Sequence, residues 1–492
     1  MTLCCKRVLW LVPVLVPLFT ASGLGAEAQE MIEHGWGLYE SGDYEGAISV
    51  FTDVIERYPA DPAAYTFRGA CYEMLGDPRT ALDDYLVVFE IDPEIAENLY
   101  NMGRMYEDLG EYDRAVELLT QAIYLDPFDP CYVNTRGCVF NYMSDYDAAV
   151  EDISLALEMD PEYATAWANL GCAERGLGND EYAITCFTNA MSFQDQNQLI
   201  ASYLMDRGVC YAHLEDYDSA IADHIVALDL CPGTASKYAY TGWLLLTADR
   251  YAEAIPYYDI AIGMDPGNAD WFLNRGFCHY QLYENGKAIS DLNECRRIDP
   301  LGFDDYQRLG RAYGDVGDYT SAIEVLTTGL EGEQDTYSRA WMLSDRARCR
   351  RLTEDLDGCI SDYAAASDLL PEEPYFYFAL GEAYYLADRD DEAVERFDTA
   401  VEWDLDEPWL AGCLFERGHC YLLRGDFDQA IGDFTGALAS DPDYHDAYYL
   451  RGVAHYYAGD FDRCREDLEE FLTVGTDPQY RAEARAVLSE LE

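Results

Sequence analysis

The sequence predicts an all-α fold of stacked antiparallel helix pairs, and three observations predict it. A small residue returns at Gly35, Gly69, Gly103, Gly137, Gly171, Gly208, Gly242, Gly276, Gly310, Ala347, Gly381, Gly418 and Gly452, in nine steps of 34 residues and three of 37. Apolar residues within each unit recur at spacings of three and four, the period of an amphipathic helix. Each unit also carries its own breaks: a turn after the first apolar stretch and, in most copies, a proline after the second. Helix pairs give such a period when each shields its apolar flank against the next, so the chain is a solenoid and its function lies on a surface.

The unit from Tyr65 to Pro93 shows the parts in order: Tyr65, Gly69, Tyr72, Gly76, Ala81, Tyr85, Val88 and Pro93. Gly69 and Ala81 are small because the two helices cross there, and a larger side chain would push the axes apart. Tyr72 and Tyr85 fill the space between units. The turn around Gly76 separates the helices.

This order resembles the tetratricopeptide repeat, whose signature runs W-x2-L-G-x2-Y, then A-x3-F, then P. The alanine recurs at Ala47, Ala81, Ala115, Ala149, Ala183, Ala220, Ala254, Ala288, Ala322, Ala393 and Ala430, with Cys359 and Cys464 in its place twice. The proline recurs at Pro59, Pro93, Pro127, Pro161, Pro232, Pro266, Pro300, Pro371 and Pro442. The resemblance implies a right-handed superhelical α-solenoid of antiparallel helix pairs, with thirteen repeats over residues 29–476 and a C-terminal capping helix over 477–492. Tyr480, Ala484, Val487 and Leu491 give that last segment its helical spacing and close the final apolar face. The proline is missing from repeats five, nine, eleven and thirteen, and the first three of these precede the 37-residue steps. The second helix or its loop is therefore expected to run three residues longer around 191–200, 331–339 and 404–410, and to bend the superhelix there.

A second regularity lies inside the first. Arginine before the repeat glycine, or before Ala347, is followed sixteen residues later by aspartate: Arg68 with Asp84, Arg136 with Asp152, Arg207 with Asp223, Arg275 with Asp291, Arg346 with Asp362, Arg417 with Asp433, and Arg451 with Asp467. The other six repeats carry neither residue. Apart from the last, the pairs fall on even-numbered repeats, as duplication of a two-repeat block would produce. The thirteenth repeat breaks the alternation yet keeps both partners, which favours direct contact between facing helices. A bidentate, partly buried pair sets register more than it stabilises.

The formal charge of −62 excludes non-specific nucleic-acid binding, which needs Lys and Arg in patches, and argues against docking on an anionic membrane. Basic protein segments, cations and plain solubility remain as explanations of the acidity. With 49% hydrophobic and 14% aromatic residues, the chain folds in spite of that charge. Lys6 and Arg7 precede an apolar run from Val8 to Leu18, and Ala26-Glu27-Ala28 supplies a small-x-small cleavage site. Residues 1–28 are expected to be a signal peptide, which places the protein in the periplasm or on the cell surface with no later membrane span. Cys71, Cys210, Cys278, Cys349 and Cys420 sit two residues after the small residue, and Cys359 and Cys464 replace the alanine, so these read as packing residues. Isolated disulfides such as Cys349 with Cys359 are the alternative. Metal is not expected, since no CxxC or paired-His spacing occurs.

In the tetratricopeptide family the first helix of each pair lines a concave groove that holds ligand peptides. Carried over by position, the early groove offers Glu97, Glu107 and Asp108, and the middle offers Trp243, Leu246, Phe277 and Tyr280, then Arg311, Arg348 and Arg351. The late groove offers Tyr375, Phe378, Tyr385, Phe415, His419, Tyr449, Tyr456 and Tyr457. Arg346, Arg348, Arg350 and Arg351 beside aromatic anchors suit a peptide carrying a carboxylate. The alternative is that these arginines neutralise aspartates within the array. The lysine and asparagine clamp of the chaperone-tail-binding members is not matched, because no lysine occupies a groove position.

No P-loop, GxGxxG, GxSxG or HExxH pattern occurs, and the seven histidines are scattered, so neither enzymatic activity nor a cofactor is expected. Runs such as Asp388 to Glu392 lack the glycine and spacing of a calcium loop. The expectation is a non-enzymatic scaffold that binds a protein or peptide partner in its groove. Two alternatives stand beside it: an accessory subunit of a cell-envelope polysaccharide or secretion machine, and an acidic cation-binding surface protein.

Overall fold

The computed structural model describes residues 26–332, 335–403 and 407–491, and among them it holds 27 α-helices and no strand. Residues 1–25 of the expected signal peptide lie outside the described residues. Ala26, Glu27 and Ala28 open the first helix, Ala26–Glu40, where Ala28 is fully buried. The helices alternate as antiparallel partners, from Ala26–Glu40 with Tyr44–Arg57 to Asp446–Ala458 with Phe461–Val474, and a last helix, Pro478–Glu490, follows alone. The fold is an α-solenoid of helix pairs. The chain divides into two compact units, Met1–Arg250 and Tyr251–Glu492.

Each pair is joined by the same short device. In repeat 2 the helix Pro62–Met74 ends at Gly76, whose φ of +78° lets Asp77 N–H donate back to the Tyr72 carbonyl at 2.9 Å. The Asp77 carboxylate then accepts from Thr80 N–H at 3.2 Å and opens the next helix, Pro78–Ile91. Two residues thus close one helix and cap the other. The equivalent left-handed position is filled by a side-chain residue in several repeats, among them Tyr283 (φ +59°), which is 88% exposed.

The periodic glycine is a seat for a ring or branched side chain. A Cβ at Gly69 would stand 2.8 Å from the Tyr85 ring, and one at Gly381 would stand 2.6 Å from Phe397. The alanine four residues before that ring, Ala81 or Ala393, is fully buried on the same crossing. Tyr85 and Phe397 are fully buried in turn, so the core is a chain of ring-over-glycine contacts that repeats along each unit.

The extra residues of the 37-residue steps fall within 191–200, 331–339 and 404–410, but they extend the following helix rather than the second helix or its loop. The second helices before these steps, Asp180–Ser192, Tyr319–Leu330 and Asp390–Glu402, are no longer than the others. The following first helices are longer instead: Asn197–His213 and Thr336–Leu352 have 17 residues and Glu407–Arg424 has 18, against 13 in Pro62–Met74. In Thr336–Leu352 the start moves because Asp335 accepts from Ser338 N–H at 2.9 Å, which sets the cap one turn earlier. Residues 333–334 and 404–406 lie outside the described residues.

All seven arginines sit against the aspartates sixteen residues on. Arg136 Nε and Nη2 donate to the two Asp152 oxygens at 2.7 and 2.8 Å, and Arg346 meets Asp362 at 2.8 and 2.6 Å. The aspartates are buried, 3% exposed at Asp362 and 6% at Asp152. Bidentate hydrogen bonding holds Arg68, Arg136, Arg207 and Arg275 above the usual arginine range. A third arm is not visible in the pair spacing. Nη1 of each arginine reaches back to the second helix of the preceding repeat: Arg68 to Thr52, Arg136 to Thr120, Arg207 to Thr188, Arg275 to Asp259, Arg346 to Thr327, Arg417 to Asp398, and Arg451 to Thr435. One guanidinium therefore ties three helices.

The last helix packs Tyr480, Val487, Leu488 and Leu491 over a core that contains Leu468, Phe471 and Ala484. Its outer residues Ala482, Arg485 and Ala486 are exposed.

Two outcomes are expected from these contacts. Arg136→Met strands a buried carboxylate and costs about 3–5 kcal/mol, whereas Arg136→Met with Asp152→Leu, the Met102 and Leu118 of repeat 3, recovers most of it; urea unfolding of both variants checks this. Tyr283→Gly relieves a left-handed side-chain residue and raises stability by about 1 kcal/mol, seen as a higher thermal midpoint.

Candidate binding surface along the first helices

Neighbouring first helices meet along a row, and side chains about one repeat apart touch there. In the first unit Arg104 pairs with Glu73, Arg175 Nη1 reaches Asp206 at 2.9 Å, and Asn169 donates to Asn134 at 3.0 Å. In the second unit the row includes Arg311 with Asp345, Arg351 with Glu382, and Tyr385 with His419, whose Oη and Nδ1 are 2.8 Å apart.

A cleft of about 380 Å³ opens on this row in the second unit. Tyr280, Trp341 and Tyr375 wall it, and Arg311, Arg348, Asp315 and Asp345 face into it. It brings together four of the residues expected in the groove: Tyr280, Arg311, Arg348 and Tyr375. The Trp341 indole N–H, in a half-buried residue, is shielded from solvent and has no hydrogen-bond partner.

The arginine cluster is largely committed to internal partners. Asp345 Oδ2 accepts from Arg311 Nε at 2.7 Å and from Gln307 Nε2 at 2.7 Å, and Asp345 Oδ1 lies 3.7 Å from Arg348. Arg351 stands 3.6 Å from Glu382. Arg350 binds Asp362 at 2.9 Å and the Gly358 carbonyl at 3.1 Å, while Arg346 belongs to the three-helix tie. The geometry thus favours internal neutralisation over a free anion site, because acids stand one helix turn or one repeat away from each guanidinium.

Two residues expected in the groove are core. Phe378 is 5% exposed against Phe397 and Trp409, and Tyr449 is 6% exposed, stacked on Tyr480 with its hydroxyl donated to Glu483. Each is covered by the next first helix, which the repeat position alone does not reveal. Phe277 carries the Arg308 guanidinium 4.6 Å above its ring, and Tyr456 donates to Glu490. Phe415 packs against Tyr444 at 4.9 Å. Trp243, 40% exposed, belongs to the first unit.

Tyr337, Trp341 and Trp409 escaped the sequence reading, and they join Tyr375, which did not. Tyr337 (61% exposed), Trp341, Tyr375 and Trp409 (47% exposed) form a column of rings with centroids 6.2, 5.6 and 5.4 Å apart. Trp341, Tyr375 and Trp409 follow one another at 34-residue steps, a signal present in the sequence. Burial, with help from Glu382, pushes Glu416 up to about 7, and burial pushes Glu97 and Glu107 to about 7 in the first unit.

The cysteines also divide. Cys349 and Cys359 are free and buried, so that pairing is not formed, and Cys71, Cys210, Cys278, Cys420 and Cys464 are likewise free and buried. Cys138 and Cys172, one position after the repeat glycine in successive first helices, are disulfide-bonded. Among the described residues no three His, Cys, Asp or Glu side chains are grouped as metal ligands, and no helix is long and apolar enough to cross a membrane.

Two tetratricopeptide repeat family models match the chain, one at residues 32–93, 241–302 and 415–487 and the other at 96–129 and 306–331, together about half of its length. The protein belongs to the tetratricopeptide repeat family. Similar curated proteins include the peroxisomal targeting signal receptor of Kluyveromyces lactis, 22% identical over 47% of this chain and 40% of the receptor. Heat shock protein STI1 of Saccharomyces cerevisiae is 34% identical over 20% of this chain and 17% of its own. The small glutamine-rich tetratricopeptide repeat-containing protein 2 of Mycosarcoma maydis is 34% identical over 18% of this chain and 24% of its own. The chain thus spans less than half the length of each relative. Among solved structures, a tetratricopeptide repeat protein from Parabacteroides merdae aligns with a TM-score of 0.41 at 20% identity, over 49% of this chain and 94% of that one.

The raised Glu416 has a measurable consequence for this repeat protein. Its carboxyl ionises near the ordinary 4.5 when unfolded and at about 7 when folded, so the stability it contributes is present below pH 4.5 and is lost as pH rises through 7. Glu416→Gln should match the wild type at pH 4.5 and exceed it by about 2 kcal/mol at pH 8, allowing for residual solvent screening, in parallel thermal melts.

Proposed function

We propose that this protein is an exported, non-enzymatic scaffold that binds a partner protein along its first-helix row, with the aromatic column of the second unit as the main contact. The observation that carries the reading is the open run of Tyr337, Trp341, Tyr375 and Trp409 beside the cleft. Large rings left half-exposed at one repeat period supply contact area at low entropic cost, which is how interface anchors work. The similarity to a targeting-signal receptor and to a heat shock protein of the same repeat family supports a protein as the ligand. Export is supported by the Lys6-Arg7 and apolar leader pattern and by the disulfide-bonded Cys138 and Cys172, which suit an oxidising compartment.

The test is photo-crosslinking in the native host. A benzoylphenylalanine at position 341 should give a discrete adduct, and one at Tyr124, an 86% exposed residue on a second helix, should not. Trp341→Ala with Tyr375→Ala should lower capture of the identified partner at least tenfold without changing the far-ultraviolet spectrum. Equal adducts at both positions would remove the reading. The exported product should begin near Gln29, which N-terminal sequencing decides.

A further inference from the structure

Among the described residues of the second unit, the first-helix row carries a carboxylate without a counter-ion, which bears on what the partner must bring. Arg311, Arg348, Arg350 and Arg351 each have an acid within 4 Å. Glu416 makes no ion pair among the described residues, and its half-buried neighbour Glu382 has Arg351 at 3.6 Å. Glu416 stands close enough to Tyr385 and Tyr444 to act on both phenols, and Phe415 precedes it on the same helix. Phe415 lies 4.9 Å from Tyr444, and Trp409 lies 5.4 Å from Tyr375. Burial first, then Glu416 and Glu382, pushes the Tyr444 phenol upward, so both carboxylates act on that ring. A cation entering here gains charge-assisted hydrogen bonds from desolvated carboxylates and the faces of aromatic rings.

We infer that the partner's contacting segment is basic, and that a lysine or arginine side chain enters the aromatic stretch between Glu382 and Glu416. This rests on the partner-binding reading above and reverses the anionic peptide that the arginine cluster suggested in the sequence. The net charge of −62 draws such a segment in from a distance, and the half-buried carboxylates and neighbouring rings select it on contact. In the first unit, described by itself, Glu97 and Glu107 are a half-buried pair on the helix Ala96–Asp108, again without an ion pair among the described residues.

The experiment separates a pocket from the general attraction of an acidic protein. Binding of fluorescein-labelled decalysine to the full chain is followed by anisotropy at pH 8, against decaglutamate as the opposite probe. Glu382→Gln with Glu416→Gln should weaken decalysine binding at least tenfold. Glu466→Gln with Glu469→Gln, the same charge removed from an exposed second-helix face, should change it less than twofold. The wild-type affinity should also rise between pH 6 and 8, because Glu416 must ionise to receive the cation. The titratable and charged groups around it are Glu382, Tyr385, Cys420, Tyr444 and Tyr480, with Arg351 against Glu382, and burial pushes the His419 imidazole down. Equal weakening by the two double variants, or binding of decaglutamate, would overturn the inference. If the partner trapped through position 341 is still captured by the Glu382→Gln, Glu416→Gln variant, the basic-segment inference falls while the scaffold reading stands.

Discussion

The close crossing of two helices inside each pair is the constraint on which the structure depends. With no side chain at Gly69 or Gly381, the ring sixteen residues later lies directly on the backbone of its partner helix, and Ala81 or Ala393 closes the same contact from the other side. The short axis separation leaves no room for water and makes each pair a rigid slab. A slab of this kind has two apolar faces and cannot satisfy both alone, so stacking follows from the crossing. Side chains on the first helices are then held at a fixed interval, which is how a column of rings arises from an ordinary repeat.

Polar chemistry is layered on this apolar frame in alternation. Odd repeats put Met102 with Leu118, or Leu170 with Cys186, where even repeats put arginine and aspartate. Two buried charges are costly to desolvate, and the bidentate geometry with a third hydrogen bond to the preceding second helix is what makes the arrangement tolerable. It also makes it specific, since the three partners coincide only when adjacent repeats are in register. The first-helix row follows a different logic. There the acids and arginines are half-buried, neighbours are one repeat apart, and charge is neutralised unevenly.

Much of this was legible in the sequence, for identifiable reasons. The glycine, alanine and proline positions name the helices because each answers to a local steric demand, and the Arg136 and Asp152 spacing names a contact because both ends sit in one rigid pair. Thr120 was missed although it is readable: threonine or aspartate at its position precedes every arginine of the set. The longer first helices at the 37-residue steps were not readable from a missing proline, since the added residues join the start of the following helix, in Thr336–Leu352 through a cap at Asp335. Phe378 and Tyr449 look like surface aromatics by position, and they are buried because the next helix leans over them. Trp341 and Trp409 were overlooked beside the arginines, and the pairing of those arginines with Asp345 and Glu382 depends on side-chain directions that no spacing encodes.

An arginine that holds three helices also governs how such a chain can change in length. Losing repeat 3 or repeat 7 would present a guanidinium with Leu86 or Ile225 where Thr120 or Asp259 had stood, and the third arm would hang in an apolar wall. Excision of an odd and an even repeat together leaves every guanidinium with its full set of acceptors. Shortening by a single repeat is thereby penalised at repeats 3, 7 and 11, where Leu86, Ile225 or Ala364 would meet the arginine, whereas Ser154 or Asn293 would still offer an oxygen after loss of repeat 5 or 9, and the adjoining pair at Arg417 and Arg451, bridged by Thr435, shows a single repeat accommodated.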